Sequence, residues 1–325
     1  MTDAVALQRQ AESWCRDQRL TPADSDARRV HLLVIDDQVD FTFPGGALFV
    51  AGRSGRGGME AQARLTRFIY RHLDLVTRIT CTLDSHLPWQ VFFPAALQDA
   101  TGQHPPPHTV VTAAAVRAGE LRPHPALARQ LGATPEWLQR QAEWYCAQLE
   151  ASGRHQLYLW PYHCLLGSAG HRLAGVVEEA RLFHAFARAA ENRLELKGMC
   201  PLTEHYSVFA PEVDRCHDGR VLPGMVRHQA LLDELLAADA VLVAGLASSH
   251  CVAASVADLL AAAQQRDPEL AKRIYVLTDC TAAVVVPGGL DFTAAADEAF
   301  AAFAAAGVRL VESTTPPAAW PGWPA

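Results

Sequence analysis

Short apolar runs recur along the chain, and most are followed by a stretch in which apolar positions return every three or four residues. HLLVI (31–35), LVTRITCT (75–82), LYLW (157–160), LELK (194–197), AVLVAGL (240–246) and RIYVLTD (273–279) predict strands, with VRLVE (308–312) as a last one. Helices are predicted over 59–72, 170–190, 229–238, 251–264 and 292–306. In the second of these, Leu173, Val176, Val177, Ala180, Phe183 and Ala187 mark one face at helical spacing. Apolar strands with little alternation, interleaved with amphipathic helices, predict an α/β fold whose mostly parallel sheet is covered on both faces.

Three segments fall outside that alternation. Residues 1–28 read as an amphipathic helical arm ending at the TPADSD turn, ahead of a single domain over 29–315. Residues 87–152 read as one long insertion between the second and third strands. Its first part, 87–130, is proline-rich, with HPPPH at 104–108. Its second part, 134–152, is a predicted helix capped by Thr134. Residues 316–325 form a tail rich in Pro and Trp.

Composition narrows the function classes. Of 325 residues, half are apolar and 19% charged, and the net charge is −7, with no Lys/Arg cluster to follow a nucleic-acid backbone. No run approaches the ~18 apolar residues of a membrane span. The N-terminal stretch mixes charges throughout and has no apolar core of signal-peptide length. A cytoplasmic protein is expected, a homo-oligomer acting on a small molecule, with no nucleic-acid or membrane partner. The eight cysteines are scattered without a CxxC, so most are expected as reduced thiols, and Cys81 and Cys280 as buried core.

Three predicted strand ends carry reactive residues. The first strand ends in Asp36, LELK ends in Lys197, and AVLVAGL leads to Cys251 at the start of a helix. In an open parallel sheet, sites gather outside the carboxyl ends of the strands. A helix N-terminus and an ammonium both lower a thiol pKa, and a carboxylate can take the thiol proton and pass it to a leaving amine. Backbone N–H groups at that helix start can hold an oxyanion. The residues themselves leave it open whether the three converge. The bland alternatives are a strand-end cap, a solvated lysine and a core thiol.

VIDDQVDF followed by PGGAL resembles the opening motif of the nicotinamidase/pyrazinamidase group of isochorismatase-like cysteine hydrolases. The similarity continues in family order through TLDSH, WPYHC, LKG, YSVF and GLASSHCV, across roughly residues 31–285. The resemblance implies a three-layer α/β/α fold with a six-stranded, mostly parallel sheet. It implies that Asp36 is the general acid/base, Lys197 the catalytic lysine and Cys251 the nucleophile. It also implies a cis bond at Leu246–Ala247, with the Ala247 and Cys251 amides as oxyanion hole. Asp84, His86 and His163 match metal ligands, Zn²⁺ being expected with Fe²⁺ or Mn²⁺ as alternatives, and no organic cofactor. Phe41, Trp160 and Tyr206 match the aromatic wall of the substrate pocket.

The resemblance thus implies a cysteine amidase converting a small aromatic carboxamide, most simply nicotinamide to nicotinate and ammonia. The alternatives are a related hydrolase of another amide or N-carbamoyl group, and a non-catalytic binding or scaffold protein that kept the fold. The chain departs from the pattern in three places. Phe92 stands where many members carry a further ligand, with His104 and His108 as conceivable substitutes. Ser248-Ser249 replaces a common Thr-Asp, and the insertion is long enough to lid the site.

Overall fold

A computed structural model describes residues 3–225, 227–286 and 288–324. The expected arm and tail therefore extend past the described residues at Met1, Thr2 and Ala325. In chain order the helices are α1 (Ala4–Gln18), α2 (Val39–Thr42), α3 (Gly57–Arg71), α4 (Ala113–Ala118), α5 (Pro125–Leu131), α6 (Pro135–Ser152), α7 (Gly175–Arg188), α8 (Gln229–Leu236), α9 (Cys251–Arg266) and α10 (Thr293–Ala305). The strands are β1 (Val30–Ile35), β2 (Arg78–Asp84), the two-residue β3 (Leu97–Gln98), β4 (Val110–Val111), β5 (Arg122–Pro123) and β6 (Leu157–Tyr158), then β7 (Asn192–Lys197), β8 (Ala240–Gly245), β9 (Ile274–Leu277) and β10 (Arg309–Val311).

All six residues of β1 are buried, because each face of the strand meets a different helical layer. Leu32 and Val34 pack with Leu65, Phe68 and Ile69 of α3, Val177 and Phe183 of α7, and Leu7 and Ala11 of α1. Leu33 and Ile35 pack with Leu231 and Leu235 of α8 and Val252, Val256 and Leu259 of α9. The result is the expected three layers around a six-stranded parallel sheet, order β10-β9-β8-β1-β2-β7. The chain lays down β1, β2 and β7 to one side, then returns to build β8, β9 and β10 on the other. The crevice at the carboxyl ends of β1 and β8 is thus the switch point where such sheets carry their sites.

Two expectations are corrected here. LYLW is not a strand of the main sheet: Leu157 and Tyr158 form β6, which pairs antiparallel with Val110–Val111 inside the insertion. The run is buried, but against Val111, Tyr145 and Leu149. Val176 does not face the core; it is 49% exposed at the start of α7. The insertion helix α6 begins as expected, with Thr134 Oγ1 accepting from the Trp137 amide at 3.2 Å. In the tail, Trp320 stacks on Phe68 and Tyr275.

β8 reaches the crevice through Gly245, at φ +106°, where a Cβ would stand 2.0 Å from the carbonyl oxygen of Ile35. Gly245→Ala is expected to cost about 3 kcal/mol or more, since backbone must shift as well as strain. Urea unfolding measures it, and a midpoint equal to that of the parent would show that the sheet end relaxes freely.

Candidate active site

Asp36 follows β1 directly, Lys197 ends β7 and Cys251 begins α9, so the sheet brings the three to one place. Lys197 Nζ lies 2.8 Å from Asp36 Oδ2 and 3.5 Å from Cys251 Sγ. A second carboxylate joins them: Asp84, paired with Lys197 in the β2–β7 register, puts Oδ1 3.0 Å from the same Nζ. The ammonium also donates to the His205 carbonyl at 2.9 Å. Asp36 is fully buried, and Thr82 fixes it twice, its hydroxyl accepting from the Asp36 amide and donating to Oδ1.

The electrostatics follow from burial and from counting charges. Burial pulls the Lys197 ammonium down, but Asp36 and Asp84 outweigh it and hold its pKa well above the ordinary value. Burial raises the Asp36 carboxyl, against the pull of Lys197. The Cys251 thiol is also pushed well up: burial is the largest cause, Lys197 pulls it down, and Asp36 and Asp84 push it up. Lys197 does pull the thiol down, as expected, but burial outweighs it. A thiol so placed would need a neighbouring carboxylate to take its proton before the sulfur could act as a nucleophile.

The other oxygen of Asp84 belongs to a second group. Its Oδ2 is 2.9 Å from His86 Nε2 and 3.8 Å from His163 Nε2. Each imidazole bonds a backbone carbonyl through Nδ1, His86 to Gly198 (3.2 Å) and His163 to Pro161 (2.7 Å). Both Nε2 atoms converge on one carboxylate oxygen, and with Nδ1–H given to the carbonyls they would turn lone pairs to a metal, the tautomer and orientation of metal-bound histidine. The ligand atoms of all three lie within 4.8 Å of one another and are buried. The donor set, two imidazoles and a carboxylate, fits Zn²⁺ with open positions for water or substrate. Asp36, Asp84 and Cys251 are equally close, but the Lys197 ammonium occupies the space among them. Phe92 supplies no ligand and packs edge-on against His86 at 4.8 Å. His104 and His108 do not substitute: His104 bonds the Leu97 carbonyl within the insertion and His108 the Tyr158 hydroxyl just after it.

Phe41, Trp160 and Tyr206 all line the cavity that holds Cys251, Asp84, His86 and His163. Phe41 tilts against His163 at 5.5 Å, and Trp160 Nε1 donates to Tyr206 Oη at 3.2 Å. The Leu246–Ala247 peptide is cis. No acceptor among the described residues bonds the Ala247 or Cys251 amide. Cys164, by contrast, has its side chain in the apolar cluster of the insertion, and its amide donates to Asp40 Oδ2 at 2.7 Å.

Sequence reasoning missed three polar lining residues, Glu204, His205 and His250. Burial keeps both imidazoles neutral, pushing each pKa down to about 3. The available signal for Glu204 was position: it is the one acidic residue between Lys197 and Tyr206, in a stretch where the motifs drew attention to the aromatic alone.

No protein-family model matches the chain, and no curated protein matches it. Among solved structures it is similar to the yeast nicotinamidase bound to the inhibitor nicotinaldehyde, with 18% identity, TM-score 0.53 and coverage of 87% of this chain and 99% of that one. It is similar to another structure of the yeast nicotinamidase at TM-score 0.54, with the same identity and coverage. A nicotinamidase/pyrazinamidase from Acinetobacter baumanii aligns at 18% identity and TM-score 0.51, over 89% of this chain and 99% of that one. This is the nicotinamidase fold. It is the fold that the resemblance implied, and in this nicotinamidase fold the cavity lies at the switch point of the sheet. No helix among the described residues is long and apolar enough to cross a membrane.

Proposed function

We propose that this chain is a cysteine amidase that hydrolyses a small aromatic carboxamide, most simply nicotinamide to nicotinate and ammonia. The observation that carries the reading is the meeting of Asp36, Lys197 and Cys251 around one Nζ, at 2.8 and 3.5 Å, in the wall of an aromatic cavity. Asp36 takes the Cys251 proton as sulfur bonds to the carbonyl carbon. The resulting oxyanion is received by the Ala247 and Cys251 amides. The carbonyl re-forms, the C–N bond breaks, and protonated Asp36 returns its proton to the nitrogen, which leaves as ammonia. Water then attacks the thioester, giving its proton to Asp36; the C–S bond breaks and the acid leaves as the thiol is restored. Lys197 holds Asp36 in place and offsets the charge that builds between the two carboxylates.

Asp84, His86 and His163 would hold the metal ion, which supplies a Lewis-acid site for the pyridine nitrogen and so orients the ring. Release of ammonia from nicotinamide, lost on chelation and restored by Zn²⁺, is the expected result. Ammonia release from no aromatic carboxamide would overturn the reading.

The orientation of His86 depends on a residue behind it. Gln90 is fully buried, donates through Nε2 to the Gly198 and Cys200 carbonyls, and accepts the Leu87 amide at 3.0 Å. Gly198 is the carbonyl that His86 Nδ1 uses. Gln90→Leu is expected to weaken Zn²⁺ binding by about ten-fold, the range for lost outer-shell support. Competition with a colorimetric chelator reads this directly, and unchanged affinity would show that Gly198 holds His86 unaided.

A further inference from the structure

Glu204 lines the catalytic cavity and has no part in the reaction above. It is 2% exposed, and no cation among the described residues pairs with it. Its partners are phenols. Oε1 accepts the Tyr206 hydroxyl at 2.5 Å and Oε2 the Tyr145 hydroxyl at 3.0 Å. Tyr145 Oη in turn accepts the amide of Glu204 at 2.8 Å, so the side chain is locked from both ends. A carboxylate offers about four lone-pair positions, and the two phenols, with the Trp160 indole nearby, leave room for a further donor. Burial, with a smaller push from Glu212, raises the carboxyl to about 8, and the two phenols and the Trp160 indole oppose that rise. A carboxyl so buried, with no counter-ion, is held in its charged, accepting form only when a further donor reaches it.

The neighbouring walls define what that donor sits on. Trp160 and Tyr206 place their rings 5.4 and 5.5 Å from the ring of His250, and all three line the same cavity as Glu204. Neutral His250 brings no cation to compete for the carboxylate. The cavity therefore has two polar regions. One, at Asp84, His86 and His163, suits a ring nitrogen that brings a lone pair; the other, at Glu204, suits a group that brings a hydrogen. Tyr145 comes from α6, and the Gln141 side chain one turn earlier accepts the His217 amide at 2.8 Å. The long insertion thus acts as backing for the wall that carries Glu204.

We propose that Glu204 is a specificity-determining residue that accepts a hydrogen bond from an amino group or ring N–H on the substrate, and that Tyr145 is its positioning residue. The cavity then favours amino-substituted aromatic carboxamides over unsubstituted ones. This rests on the amidase reading for the reaction, though the binding preference can be measured without turnover.

The probes are nicotinamide and its 2-, 5- and 6-amino derivatives, with Zn²⁺ present. Calorimetric binding to the Cys251→Ala protein is compared with ammonia release by the parent. At least one amino derivative is expected to bind about ten-fold more tightly than nicotinamide, the scale of a hydrogen bond to a charged group. Adding Glu204→Gln, which keeps the shape, is expected to bring the derivatives to within about two-fold of nicotinamide, with zinc content and unfolding midpoint unchanged. Tyr145→Phe is expected to give an intermediate preference while KM shifts and kcat holds. Equal affinities in the parent, an equal loss for every probe, or a fall in zinc content with Glu204→Gln would overturn the proposal; the last would place the carboxylate with the metal group. Binding preference without ammonia release would instead overturn the amidase reading and leave the subsite standing.

Discussion

Cys251→Ala is expected to lower amide hydrolysis by about 10⁴-fold or more, the scale seen when a covalent nucleophile is removed, with little change in stability. The sulfur is 3.5 Å from Lys197 Nζ and lines the cavity, whereas the rest of the residue continues the first turn of α9. Alanine keeps that turn and loses only a partly packed atom, a cost of about 1 kcal/mol. Cys164→Ala is the control. Cys164 also follows a histidine, but its thiol lies in the insertion core and its contribution to the site is its backbone, whose carbonyl receives the His86 amide at 3.0 Å. Most activity is expected to survive there. Ammonia release with matched urea curves separates the two, and equal activity of the two variants would remove Cys251 from the chemistry.

Lys197→Met is expected to weaken both function and fold. The ammonium stands between two buried carboxylates, 2.8 Å from Asp36 and 3.0 Å from Asp84. Removing one partner of a buried ionic group costs about 3–5 kcal/mol, and activity is expected to fall by about 10³-fold as the base loses its position. The deficit depends on pH with a definite sign. Burial already raises the Asp36 carboxyl, and without the lysine it rises further above its unfolded value. A carboxyl whose folded pKa is raised contributes stability below its unfolded pKa and loses it as pH climbs. The stability gap to the parent should therefore narrow from about pH 8 to about pH 5. A gap that widens on acidification would mean that the carboxylates do not depend on the lysine.

The sheet was legible because its strands are buried on both faces, which leaves continuous apolar runs at β1 and β8. The same rule misplaced LYLW. Apolarity reports burial and not the partner, and this run is buried by the insertion. It also says nothing of edges: Leu194 and Leu196 of β7 look like core positions but are 43% and 48% exposed on the outermost strand. The site residues were legible as types at strand ends, and the sheet does bring Asp36, Lys197 and Cys251 together. What the sequence could not show was that Asp84 serves two groups, one oxygen facing Lys197 and the other the histidines. Asp84 adds to burial and Asp36 in raising the Cys251 thiol, against the pull of Lys197, and it reaches that lysine by a contact 113 residues apart in the chain. Glu204 was missed for a related reason, since its partner Tyr145 belongs to a segment that reads as an insertion with no link to the site.

The most direct measurement traps the covalent intermediate. Nicotinamide is mixed with excess zinc-loaded enzyme, quenched in acid within one turnover, and the digested chain is read by mass spectrometry. A nicotinoyl thioester on the peptide bearing Cys251, formed with one ammonia released for each acyl group, is the predicted result. An acyl group on any other residue, or ammonia release undiminished after Cys251 has been alkylated, would contradict the account.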